Sequence, residues 1–163
     1  MKVSFNLVLA LTLLPWAALA DSAHKYDGEN RGKPLQATQI NAKWQEECAA
    51  CHIAYAPGLL PAESWRQLMS SLDKHFGSDA SLTGPENKAI TTFLVNNASN
   101  RWSAPSAPLR ITEGAWFKAK HSIKEIAPAV WKRPAVKSPA NCSACHVDAA
   151  KADFNEHRIR IPK

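Results

Sequence analysis

The residues of this 163-residue chain that are best suited to chemistry form two copies of one pattern, Cys-x-x-Cys-His. The copies use every cysteine of the chain, namely Cys48, Cys51 and His52 in the first and Cys142, Cys145 and His146 in the second. Two thiols separated by two residues can receive the two vinyl groups of a haem, and the histidine that follows can bind its iron from one side. The pattern therefore predicts two covalently attached haem c groups.

Other chemistries use a Cys-x-x-Cys pair but account for fewer of these residues. A zinc site would need both pairs to converge on one ion, and it gives no reason for a histidine after each pair. A thioredoxin-like redox pair needs only one copy and a βαβ context, which the sequence does not indicate. A four-cysteine zinc site and two exposed disulfides remain as the alternatives to haem.

Each predicted iron has one further coordination position. Its occupant separates an electron carrier from a site that binds oxygen, nitric oxide or peroxide. The candidate ligands outside the two motifs are His24, His75, His121, His157 and Met69. We predict His75 for the first haem and His121 for the second, because each lies on the apolar side of a predicted helix.

The positions of these two histidines follow from helical spacing. His75 comes three residues after Leu72, on the apolar stripe of a helix that we expect to end at Gly77. His121 follows Phe117 by four residues and shares its helical face. With histidine on both sides of the iron, each haem is expected to be low-spin, with a lower reduction potential than a haem with one methionine ligand.

The other candidates have simpler interpretations. Met69 is the rival of His75, but a flexible apolar side chain on that stripe is better explained as core packing. His24 lies in a polar stretch where a free tail is expected. His157 lies among charged residues and is interpreted as solvated.

The first twenty residues have the organisation of an export signal. Lys2 gives a positive start, residues 7–14 are apolar except for one threonine, and residues 18–20 have the small-x-small form of a cleavage site. The apolar run is shorter than the roughly 20 residues of a membrane-spanning helix, and Pro15 interrupts it, so we favour a cleaved signal over an anchor. The mature chain is expected to start at Asp21 and to be periplasmic, without a transmembrane segment.

The remaining chain is predicted to divide into two parts. Its 45% hydrophobic content excludes a collagenous or wholly disordered chain. A Pro/Ser/Ala-rich linker at residues 102–109 would separate a tail (21–36) and a first haem domain (37–101) from a second haem domain (110–163). Each domain then holds one complete haem site, and only this division disfavours the crossed pairing of distal histidines and haems. The Pro-rich stretch 128–139 is expected to wrap the second haem as irregular structure.

Beyond the two motifs, several segments resemble the small soluble dihaem cytochromes c known as DHC, over about residues 40 to 163. These segments are Leu60–Trp65, Leu72–Gly77, Arg110–Thr112 with Trp116, Phe117 and His121, and Ile159–Pro162. The resemblance implies a mainly α fold of two small haem-binding domains, the first similar to class I cytochrome c and the second an irregular haem-wrapping helical domain. It also implies bis-histidine irons, with His75 in the place that class I cytochromes give to methionine, before a helix Pro85–Asn97.

The resemblance further implies a non-catalytic electron carrier. Its expected acceptor is a small oxygen-binding monohaem cytochrome c, and its expected donor is a membrane b-type cytochrome. A monomer is expected. The alternatives are an electron-entry dihaem subunit of a periplasmic reductase, and a haem enzyme or gas-binding protein with one open iron.

The distribution of charge indicates a side for partner binding. After loss of the signal the formal charge is +5, and residues 110–137 alone carry seven basic and two acidic side chains. We predict that this side attracts an acidic redox partner, with a merely solvated face as the alternative. Nucleic-acid binding is not expected, because an exported haem protein rarely meets nucleic acid and no recognition motif is present.

Overall fold

The computed structural model describes Leu35 and residues 39–99 and 108–163, all within one compact unit, Arg31–Lys163. Regular structure in this part of the chain is helical, and two isolated β-bridges are its only strand-like pairs. The four α-helices are α1 Ala42–Cys48, α2 Ala62–Met69, α3 Gly84–Asn97 and α4 Ala115–Lys120, with short 3-10 turns between and after them. The predicted mainly α fold is confirmed.

The core of the first half forms where α1, α2 and α3 pack together. Its buried side chains are Trp44, Ala54, Leu60, Trp65, Leu68, Met69, Ile90, Leu94 and Ala98. The most deeply buried are Ile90 and Leu94, which are 0% and 1% exposed and lie four residues apart on one face of α3. Met69 belongs to this core, as predicted.

α3 begins at the predicted position. The backbone N–H of Thr83 donates to the Glu86 carboxylate at 3.3 Å, which satisfies a donor at the helix start. Pro85 lies in the first turn, where its missing N–H costs no helical hydrogen bond. With 14 residues, α3 is the longest helix in the described part of the chain, and it directly follows the loop after α2.

The helix predicted to reach Gly77 ends much earlier, because α2 stops at Met69. The hydroxyls of Ser70 and Ser71 both donate to the carbonyl oxygen of Gln67, at 2.8 and 3.0 Å. Serine side chains that take helix carbonyls in this way compete with the backbone and favour termination. The prediction of one continuous apolar stripe was therefore wrong.

His75 consequently lies on a loop between α2 and α3. It follows a 3-10 turn, Leu72–Lys74, and its N–H donates to the carbonyl of Leu72 at 3.3 Å. The chain then reverses through Phe76 and Gly77, whose φ angles are +50° and +101°. Glycine adopts this left-handed region without strain, which explains its position directly after the turn.

The second half contains one short α-helix and several 3-10 turns. Phe117 of α4, Val130 and Val136 are its buried hydrophobic side chains, together with Ala149. The Pro-rich stretch 128–139 forms a 3-10 turn, Pro128–Lys132, followed by further turns, which agrees with the expected irregular structure.

The two halves touch at several described places, one of which is the packing of the partly buried Ile111 against the core of the first half. The hydroxyl of Tyr55 donates to the carbonyl oxygen of Ala140 at 2.7 Å, and the guanidinium carbon of Arg110 lies 3.9 Å from the ring centre of Phe76. Residues 102–107 of the predicted linker lie outside the described residues, so the division into two domains stays a prediction.

The predicted signal and most of the predicted tail also lie outside the described residues. Leu35 is described, and its carbonyl accepts the N–H of Gly58 at 2.8 Å. A Cβ on Gly58 would be 2.6 Å from the Leu35 Cα, so the two backbones can approach this closely only at glycine. Within the residues described, no helix is long and apolar enough to cross a membrane.

Candidate functional site

The first motif begins at the end of α1. Asn41 caps this helix by accepting the N–H of Trp44 at 2.9 Å, and Cys48 is the last helical residue. Cys51 and His52 follow in a turn. The structure brings the His52 ring to 6.2 Å from the His75 ring, centre to centre, with 31° between their planes.

The second motif lies on a 3-10 turn, Cys142–Ala144, and the N–H of His146 donates to the carbonyl of Cys142 at 2.8 Å. His146 faces His121, which ends α4. Their ring centres are 6.1 Å apart and their planes are 72° apart. Each motif histidine therefore faces the distal histidine that the sequence placed in the same half of the chain.

These separations can be compared with the geometry of a metal held between two imidazoles. A metal–nitrogen bond of about 2 Å and about 1.15 Å from that nitrogen to the ring centre place two trans imidazoles about 6.3 Å apart, centre to centre. Both pairs lie within about 0.2 Å of that value. Each pair thus has the spacing of two axial ligands on one iron.

The rest of the donor set fits a haem and not a bare metal ion. Over the described ranges, no group of three or more His, Cys, Asp and Glu side chains is close enough together to hold a metal ion. The four thiols therefore do not converge on a zinc ion, and none is in a disulfide. A haem supplies four iron ligands itself, so two facing histidines are all that the protein must add.

Hydrogen bonds orient one imidazole of each pair. The Nδ1 of His52 lies 2.8 Å from the carbonyl oxygen of Ile53, and the Nδ1 of His121 lies 3.0 Å from that of Phe117. A proton on Nδ1 leaves Nε2 free to bind a metal. In the opposing histidines, His75 and His146, Nδ1 is buried without a hydrogen-bond partner.

Burial favours the neutral forms of two motif cysteines and of three of the four histidines. Desolvation raises the pKa of the Cys48 and Cys142 thiols to about 11 and lowers the pKa values of His75, His121 and His146. Neutral imidazole is the form that binds iron. A reactive thioredoxin-like cysteine has a lowered pKa, so the raised pKa values of these two thiols argue against that chemistry.

Aromatic side chains next to the histidines were not predicted from the sequence. Phe76 lies 4.9 Å from the ring of His75, Trp131 lies 5.9 Å from His121, and Phe154 lies 5.3 Å from His146. Tyr55 is 4.8 Å from the ring of His52. Phe76 and Tyr55 could have been found by searching for aromatic residues close in sequence to each histidine, but no local signal identifies Trp131.

The remaining candidate ligands lie elsewhere. His157 is exposed on the 3-10 turn Glu156–Arg158, as expected for a solvated residue. Met69 is in the hydrophobic core of the first half. His24 lies outside the described residues.

The second motif also contacts the C-terminal segment. The N–H of Arg160 donates to the carbonyl of Cys145 at 2.9 Å, beside an isolated bridge between His146 and Ile159. The Arg133 guanidinium donates to the carbonyl of Pro162. Ile159–Pro162, one of the segments that carried the resemblance, is thus part of the surroundings of this motif.

A helical chain with two Cys-x-x-Cys-His motifs, each facing a second histidine, has the features of a c-type cytochrome with two haems. The family model for dihaem cytochrome c, DHC, matches residues 44–154, and this chain belongs to that family. It is therefore an electron-transfer cytochrome with two covalently bound haem c groups.

Solved structures of related proteins agree with this assignment. A diheme cytochrome c from Rhodobacter sphaeroides is 40% identical, with a TM-score of 0.65, and the match covers 74% of this chain and 99% of that one. A new diheme cytochrome type c from Shewanella baltica OS155, sb-DHC, is 39% identical, with a TM-score of 0.66 and coverage of 75% and 93%. A comparison with curated proteins gives no match.

Proposed function

We propose that this chain is a soluble periplasmic electron-transfer protein, without catalytic activity, that passes electrons through two bis-histidine, low-spin haems to a redox partner. The observation that supports this best is the pair of histidine separations, 6.2 Å in the first site and 6.1 Å in the second. A histidine on each side of an iron leaves no open position for oxygen or peroxide.

The protein residues have distinct roles in this proposal. Four cysteines would hold the two haems through thioether bonds, namely Cys48, Cys51, Cys142 and Cys145. Four histidines would bind the irons, namely His52, His75, His121 and His146. Each haem supplies the one-electron chemistry. Burial lowers the pKa values of His75, His121 and His146, which favours their neutral forms. Backbone carbonyls orient His52 and His121.

The basic side of the second half supports an acidic redox partner. Ion pairs neutralise some of its charge, since Lys120 contacts Glu156 at 2.7 Å and Arg110 contacts Glu113 at 3.8 Å. Four exposed lysines make no ion pair with any residue that the structure describes: Lys118, Lys124, Lys132 and Lys137. These lysines can steer an acidic partner toward the second site.

The proposed acceptor is a small oxygen-binding monohaem cytochrome c, and the proposed donor is a membrane b-type cytochrome. The protein acts as a monomer. The predicted export signal, with cleavage after Ala20, supports a periplasmic location, because haem c is attached outside the cytoplasm.

Carbon monoxide binding to the reduced holoprotein tests the proposal. Six-coordinate irons are expected to give low-spin spectra that carbon monoxide leaves nearly unchanged. A carbon monoxide adduct at either haem would contradict the proposal and would favour a gas-binding or catalytic site with one open iron.

A further inference from the structure

We propose that Tyr55 is the residue that connects the two haem sites for electron exchange between them. This inference rests on the proposed function, because it assigns a route for an electron that moves within the protein. It concerns a residue outside both Cys-x-x-Cys-His motifs and outside the set of four axial histidines.

Tyr55 touches the first site through its ring. It comes three residues after His52, and the two ring centres are 4.8 Å apart with 31° between their planes. This is within the range of offset stacked rings, so the phenol ring is in direct contact with the imidazole. Tyr55 therefore contacts the motif histidine of the first site.

Tyr55 touches the second site through its hydroxyl. The hydroxyl donates to the carbonyl oxygen of Ala140 at 2.7 Å, a normal length for a strong O–H···O bond. The same carbonyl accepts the backbone N–H of Cys142 at 3.0 Å. One carbonyl thus joins Tyr55 to the residue that forms a thioether bond in the second site.

The resulting route contains only covalent bonds, one ring contact and two hydrogen bonds. It runs from His52 through Tyr55 and the Ala140 carbonyl to Cys142. Electronic coupling between two redox centres weakens less along bonds than across open gaps, so such a route favours rapid exchange. One electron leaves the ferrous iron of one haem and reduces the ferric iron of the other, and Tyr55 neither gains nor loses an electron or a proton.

The contact of Arg110 with Phe76 also joins the halves, but it does not offer such a route. Arg110 lies over Phe76, which is 45% exposed and next to His75. Arg110 leads into the 3-10 turn Ile111–Glu113, not into the Cys-x-x-Cys-His motif. This contact can hold the halves together and therefore provides a matched control.

The test compares electron exchange between the haems in the wild-type holoprotein and in Tyr55→Phe. A pulse of a one-electron reductant reduces one haem, and freeze-quenched EPR spectra follow how the electron redistributes. Phenylalanine keeps the ring against His52 and removes the hydroxyl. We expect the exchange to be several-fold slower, with both reduction potentials and both ferric EPR signals unchanged, and slower still in Tyr55→Leu.

Arg110→Gln tests whether the exchange rate depends on Tyr55 specifically or on any contact between the two halves. This variant loses the cation–π contact with Phe76 and is expected to keep the wild-type exchange rate, after correction for its measured potentials. An unchanged rate in Tyr55→Phe, or equal slowing in Arg110→Gln, would overturn the proposal. Neither result affects carbon monoxide binding, so failure of this inference and failure of the proposed function are distinguishable.

Discussion

Phe117 and His121 lie one helical turn apart, and their rings stack at 4.1 Å with only 14° between their planes. The carbonyl oxygen of Phe117 also lies 3.0 Å from the Nδ1 of His121. One residue therefore fixes both the plane of this imidazole and the nitrogen that carries its proton. This follows from the i, i+4 neighbour relation on a helix.

Replacing Phe117 by leucine separates these two effects, because the backbone carbonyl is kept and the stacked ring is lost. We expect a broader EPR signal from the second haem, since His121 can then rotate over a wider range, and a loss of about 1 kcal/mol in unfolding free energy. Phe93→Leu, in the first half of the chain, is the control and should leave that signal unchanged. An equal broadening in both variants would contradict the orienting role of Phe117.

The distal histidines are expected to act independently. His75→Ala and His121→Ala should each convert one of the two haems to a high-spin form that binds carbon monoxide, because each removes one of the two facing imidazoles. Visible spectra of the reduced proteins measure this. His157→Ala removes an exposed histidine and should leave both haems low-spin. If either distal variant kept both spectra unchanged, that ligand assignment would be wrong.

Gly58 is predicted to be intolerant of a side chain. A Cβ there would lie 2.6 Å from the Leu35 Cα, so Gly58→Ala should lower the unfolding free energy by about 1–3 kcal/mol through overpacking. Urea unfolding measures this. Gly84→Ala adds the same methyl group where nothing lies within 4 Å and should cost no stability. Similar values for the two variants would show that Leu35 does not pack there in solution.

Lys43 and Glu86 join α1 to α3 through a 3.1 Å ion pair. The Thr83 hydroxyl and Lys43 hold the pKa of the Glu86 carboxyl below its usual range. A lowered folded-state pKa gives stability that is present above the unfolded pKa and is lost as the pH falls through the folded pKa. Glu86→Gln should therefore be less stable than wild type at pH 7, and the difference should disappear in acid.

Chemical unfolding at several pH values measures this difference. Glu125→Gln is the control, because Glu125 is exposed and makes no ion pair within the described part of the chain. A difference for Glu86→Gln that stayed constant down to acid pH would rule out an electrostatic origin.

Electron transfer to the partner is expected to slow as salt is added. At 0.1 M ionic strength charges are screened beyond about 10 Å, so steering by exposed lysines weakens. The measurement is the rate of reduction of an acidic monohaem cytochrome c against ionic strength. Lys118→Glu and Lys124→Glu should reduce the rate at low salt, whereas Lys88→Glu, on α3, should not. A rate independent of salt would exclude the basic side as the docking surface.

Local patterns in the sequence were sufficient for some of these features. Cysteine spacing gave both motifs, the turn before Pro85 gave the start of α3, and the interval of four residues from Phe117 gave the position of His121. Hydrophobic periodicity wrongly placed His75 on a helix, because the hydroxyls of Ser70 and Ser71 end α2 early. This competition for a backbone carbonyl does not change the spacing of the hydrophobic residues, so the hydrophobic pattern does not show where the helix ends.

Contacts between distant residues could not be predicted in this way. Tyr55 and Ala140 are 85 residues apart, and nothing near either residue indicates the other. The close approach of Leu35 to Gly58 also depends on how the chain is folded back. Periodicity and spacing in a single sequence describe neighbours along the chain, and neither indicates which distant residues meet.

The two histidine pairs differ in the angle between their planes, 31° in the first site and 72° in the second. Two iron d orbitals can interact with the π systems of the axial imidazoles. Nearly parallel imidazoles both interact with the same one of these orbitals and separate the two in energy. Nearly perpendicular imidazoles interact with one orbital each and leave the two almost equal in energy. The first ferric iron is then expected to have a rhombic magnetic signature and the second a strongly axial one. The ring orientations thus give each haem its own magnetic label, with no probe added to the protein.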